Sequence, residues 1–82
     1  MIIKNLAFDA FSKLFSDKAL LMTDVGFNKS GTVDVLLNFK YNWRLIRTSV
    51  GGVAFWYSEE GESVWHWLGE LDVCDFGEIT VC

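Results

Sequence analysis

The sequence predicts an α+β fold forming a single domain over residues 1–82, with an N-terminal amphipathic helix packed on an antiparallel β-sheet read as a meander. Three observations carry that prediction. Apolar residues recur at helical spacing most clearly within the first 15 positions, period-two alternation replaces that spacing from residue 21, and glycine-containing turns separate alternating runs. A hydrophobic fraction of 51% with 16% aromatics is too rich for a disordered segment, and 82 residues leave room for one core.

The helix is read from Ile2, Ile3, Leu6, Ala7, Ala10, Phe11, Leu14 and Phe15, which follow an i, i+3, i+4, i+7 recurrence, with Lys4, Asn5, Asp9, Ser12 and Lys13 on the other side. Ser16-Asp17 ends that periodicity. Leu21, Thr23, Val25 and Phe27 then alternate with Met22, Asp24 and Asn28 as a strand. Lys29-Ser30-Gly31-Thr32 supplies a turn, and Val33, Val35, Leu37, Phe39 and Tyr41 mark the returning strand. Asn42 either turns the chain or lets the strand continue through residues 43–48. Gly51-Gly52 is read as a two-residue type I′ hairpin turn, because such a turn wants positive φ at both centres.

After the strand at residues 53–57 comes the acidic loop Ser58-Glu59-Glu60-Gly61-Glu62. Residues 63–73 stay open between strand and short helix: a helix gathers Val64, Trp67, Leu68 and Leu71 on one face behind a Ser63 cap, whereas Val-Trp-His-Trp-Leu is a β-favouring run. Glu78 to Cys82 reads as a last short strand after Asp75 and Gly77.

Charge is polarised along the chain. All seven basic residues lie in the first 47 positions with four acids, a balance of +3, and the last 35 residues carry seven acids and no Lys or Arg, a balance of −7. No apolar run approaches the roughly 18–20 residues of a membrane span, no secretory leader is expected, and the cytoplasm is the expected location. Cys74 and Cys82 read as two reduced thiols; a disulfide between them, or an intermolecular bridge through Cys82, are the alternatives.

Catalytic chemistry finds little to work with. His66 is the only histidine, so a nucleophile–base pair would have to use it, and one His with two Cys falls short of a structural zinc site. The acids miss the calcium-loop spacing, and Gly51-Gly52 precedes a strand instead of the helix that a phosphate loop requires. The chain is therefore expected not to be an enzyme and to take no cofactor and no metal.

The functional expectation rests on surface. Phe55-Trp56-Tyr57 and Trp65-His66-Trp67 cannot all face one small core, because neighbouring strand residues alternate sides, so some of these rings must face outward. Outward tryptophans among carboxylates make interface anchors with a polar rim. The expected partner-binding residues are Trp56, Glu59, Glu60, Glu62, Trp65, Trp67, Glu70, Asp72 and Asp75, and the expected partner is a larger host protein with a basic site of the kind that binds nucleic acid. In broad character, with no residue motif behind it, the chain resembles the small acidic inhibitors that phages and mobile elements encode against host defence. The first alternative is a self-associating assembly subunit, or a homodimer whose mate covers the rings. The second is a binder of single-stranded nucleic acid through Lys40, Arg44 and Arg47 with Tyr41 and Trp43, which the negative total disfavours.

Overall fold

A computed structural model of the chain describes residues 1–80. The elements run β1 (Ile2–Ala7), α1 (Phe8–Phe15), a 3₁₀ turn (Ala19–Leu21), β2 (Met22–Phe27), β3 (Thr32–Leu37), β4 (Tyr41–Arg47), β5 (Gly52–Glu59), β6 (His66–Asp72), a second 3₁₀ turn (Val73–Asp75) and β7 (Glu78–Thr80). The α+β class holds, with the strands divided between two antiparallel sheets. One has the order β2-β3-β1-β7, and the other is the meander β4-β5-β6.

The helix is shorter than its periodicity suggested. Residues 2–7 form a strand between β3 and β7, and only Phe8–Phe15 are helical. A bulge explains the mimicry: Asn5 adopts φ 56°, the pairing with β3 shifts between Ile3 and Leu6, and these two residues, three apart, both turn into the core. Helical spacing was thus reproduced by a bulged strand. Within α1 itself, Ala10, Leu14 and Phe15 are buried, Asp9 lies in the first turn and Lys13 in the last, as the helix dipole favours.

The Asn5 bulge is held by a carboxylate from the neighbouring strand. The Asn5 backbone N–H donates to Asp34 Oδ1 at 3.0 Å, and Asn28 Nδ2 donates to the same oxygen at 3.1 Å. These bonds, the Asn5 one foremost, hold the Asp34 pKa below its ordinary 3.8. A lowered pKa means that the fold favours the charged form, so this contribution is present above 3.8 and fades as pH falls through the depressed value. Asp34→Asn is expected to weaken the fold at neutral pH and to flatten the acid limb of its stability curve, as urea titrations at neutral pH and about pH 3 will read.

One core joins the two sheets and the helix. Ile3, Leu6, Val33 and Val35 of the larger sheet are fully buried with Phe55 of β5, beside Leu14, Leu37 and Leu71. Helix and meander meet where Leu14 rests on Gly69 of β6. A Cβ at that glycine would overlap Leu14 Cδ2, so the absence of a side chain permits the close approach.

Leu37 ends β3 and a turn over residues 38–40 precedes β4, so the chain does turn before Asn42. Residues 66–72 are strand, paired with β5. The β4–β5 turn differs from the two-residue type I′ form: Gly51 alone has positive φ, at 83°, its N–H donates to Thr48 O, and Gly52 already belongs to β5. It is a three-residue loop closed by a left-handed glycine. Cys74 is exposed in the second 3₁₀ turn, and Cys82, with any bridge to it, lies outside the described residues. No helix among the described residues is long and apolar enough to cross a membrane.

Candidate protein-interaction site

The meander has one face on the core and one toward solvent, and pairing register assigns its residues. On β5, Phe55 and Tyr57 stand in the inner rows with Leu45 and Trp43 of β4. Trp56 stands in an outer row, opposite Arg44 of β4 and Trp67 of β6. The next outer row is Ile46, Ala54 and Glu70.

Trp67 owes its side to a second bulge. Gly69 pairs with Phe55 and Trp67 with Trp56, which leaves Leu68 as the extra residue. In a regular strand Trp67 and Glu70 would point to opposite faces. The bulge puts both on the outer face, where Trp67 is 59% exposed and Ile46 46%. Trp65, just before β6, lies beneath Arg44, whose guanidinium carbon is 4.2 Å from its ring centroid. That cation–π contact holds a positive charge against the aromatic surface. The three tryptophans expected to bind a partner therefore share one face.

The acids are distributed differently. Glu59, Glu60 and Glu62 gather where β5 leaves the sheet, whereas Asp72 pairs with Gly52 at the far end and Asp75 follows it. Glu59 is seven positions on from Gly52, about 23 Å of extended chain. The two acidic stretches bracket the aromatic face instead of forming one continuous array.

Several of these carboxylates are already engaged. Glu62 Oε1 accepts the Glu59 backbone N–H at 3.1 Å and lies 3.2 Å from His66 Nε2. The Glu59 bond, then the His66 bond, lower the Glu62 pKa and keep it charged. Asp75 Oδ2 accepts the Asp72 N–H at 3.1 Å within a reciprocal cap of the second 3₁₀ turn. The side chains of Glu59, Glu60 and Glu70 make no hydrogen bond among the described residues, so they are the acids left to meet a partner.

His66 stacks on Tyr57 with ring centroids 5.2 Å apart, and Glu62 is its hydrogen-bond partner. Among the described residues no group of three His, Cys, Asp or Glu side chains is placed to hold a metal ion. Tyr41 and Trp43 belong to the inner face with Tyr57, and Trp43 Nε1 donates to Asn38 O at 2.9 Å. Those two rings and Arg44 thus stand on opposite faces, whereas Arg47 has the parity of Tyr41 and Trp43.

Sequence reasoning omitted Arg44 and Ile46 from the aromatic face. The alternation of residues 42, 44 and 46 against 41, 43 and 45 could have placed them there, given which side Trp43 takes. No protein-family model matches this chain, and neither the curated proteins nor the solved structures contain a match to it.

Proposed function

We infer that the chain is a non-enzymatic, cytoplasmic protein-binding module that seats its tryptophan face on a basic site of a larger protein and blocks that site by occupying it. The observation that supports this reading is the grouping of Trp56, Trp65 and Trp67 on one solvent face with carboxylates at both ends. Rings of this size supply most of the contact energy of an interface, and a charged rim steers and orients the encounter. The spacing of the acids defines the partner further. It carries an apolar depression flanked by two cationic patches about 23 Å apart.

Capture of proteins from host lysate on the immobilised chain tests this. A specific partner is expected to be retained at low salt and released as ionic strength rises, and reversal of Glu59 and Glu60 to Lys is expected to weaken retention. Capture of nothing, or capture indifferent to both salt and charge reversal, overturns the reading.

A further inference from the structure

The two edges of the meander carry opposite charge. β4 bears Arg44 and Arg47 and no acid, with Lys40 just before it, and β6 bears Glu70 and Asp72 and no Lys or Arg. Both strands are outermost in the order β4-β5-β6, and both have seven residues. Among the described residues none of Arg44, Arg47, Glu70 or Asp72 takes part in an ion pair.

Exposed edges are commonly protected against pairing by charge. Charges of one sign on both edges would repel a second copy at either edge. Opposite signs protect β4 from β4 and β6 from β6 but leave the mixed pair attractive. The edge of β6 also lies along an open groove of about 730 Å³ between that strand and α1. Its walls include Asp9, Lys13, Trp67, Glu70, Asp72 and Asp75, four carboxylates against one ammonium.

We propose that β4 of one copy adds to β6 of a second copy along this groove, joining the meanders head to tail into a continuous sheet. Arg44 and Arg47 are an odd number of residues apart and so address opposite sides of the added strand. The groove has carboxylates on both sides, Glu70 and Asp72 toward the outer face and Asp9 on the helix wall. Both β4 and β6 run antiparallel to β5, so addition that keeps the tryptophan face on one side pairs them in parallel. The contact is heterologous and repeats into an open array or closes as a ring. A like-charged pairing of β6 with β6 across a two-fold axis would oppose Glu70 and Asp72 to their own copies.

Sedimentation velocity of the purified chain over a concentration series, at about 20 mM and about 0.5 M NaCl, provides the first test. Mass is expected to grow with concentration at low salt and to fall back to the monomer at high salt. The second test is a charge exchange. R44E/R47E gives a copy with two acidic edges and E70K/D72K a copy with two basic edges, so each alone is expected to associate about tenfold or more weakly than the parent chain. Their equimolar mixture is expected to associate again. R47E and E70K, single changes at side chains without a hydrogen bond or ion pair among the described residues, repeat the exchange should a double variant unfold.

A chain that stays monomeric at low salt up to about 1 mM overturns the proposal. So does a mixture no more associated than its components. Partner docking and self-association share Trp67 and Glu70 but not Trp56, which stands on the central strand: Trp56→Ala alters the outer face and leaves the residues of both edge strands in place, so it is expected to impair capture of the partner and not self-association.

Discussion

Replacing Phe55 with Ala is expected to lower the free energy of unfolding by about 3–5 kcal/mol. Phe55 is fully buried on the central strand of the meander, in one row with Leu45 and Gly69, and it belongs to the core shared with Ile3, Leu6 and Leu14. Its ring is the largest fully buried side chain. Truncation loses the transfer energy of the ring and leaves a cavity that rigid neighbours on three strands close only in part. An 82-residue chain at about 0.05–0.15 kcal/mol per residue has roughly 4–12 kcal/mol in total, so this one change removes a large part of it. Urea denaturation should show the midpoint fall with an unchanged slope. Phe39→Ala is the matched control, because that ring is 82% exposed and its loss is expected to cost less than about 0.5 kcal/mol. A Phe55→Ala midpoint close to that of Phe39→Ala would mean that the meander does not pack on the larger sheet as described.

Much of this architecture is legible in the sequence. Alternation located the strands because each buries one side only, and glycines marked the reversals because left-handed backbone there excludes most side chains. Two of the departures were governed by bulges. The insertion at Asn5 gave a strand the spacing of a helix, so Ile3 and Leu6 counted as helical evidence. The insertion at Leu68 inverted the parity between Trp67 and Glu70, so period-two counting alone would have separated two residues that share a face. Asn5 is a residue that tolerates positive φ and Asp34 anchors its bulge from β3, but neither residue type is specific enough to mark an insertion by itself. Charge polarity was legible in the same limited way. The sum of −7 over the C-terminal residues was sound, but an antiparallel return sets Glu70 beside Ala54 and sends the Glu59–Glu62 turn to the other end of the sheet. Sequence polarity thus became an acidic edge and two acidic ends in place of a single acidic face.

Replacing Trp67 with Ala is expected to leave stability within about 0.5 kcal/mol of the parent and to weaken partner affinity by about 2–4 kcal/mol, roughly 30- to 1000-fold. The asymmetry follows from where the ring sits. Trp67 is on an edge strand, 59% exposed, so folding gains little from it, whereas the partner's apolar depression would complete its burial. Trp43→Ala should do the reverse. That ring packs on the inner face against Tyr57 and donates its N–H to Asn38 O, so its loss costs stability and spares affinity. Titration calorimetry with the captured partner, paired with urea denaturation of each variant, separates the two effects. Partner affinity unchanged by Trp67→Ala would move the anchor elsewhere, because Trp56 and Trp65 are partly buried already and Trp67 is the ring with most surface left to bury. Strong destabilisation by the same change would instead mean that the outer face is packed from within, which the exposure of Ile46 on the opposite edge strand of that face argues against.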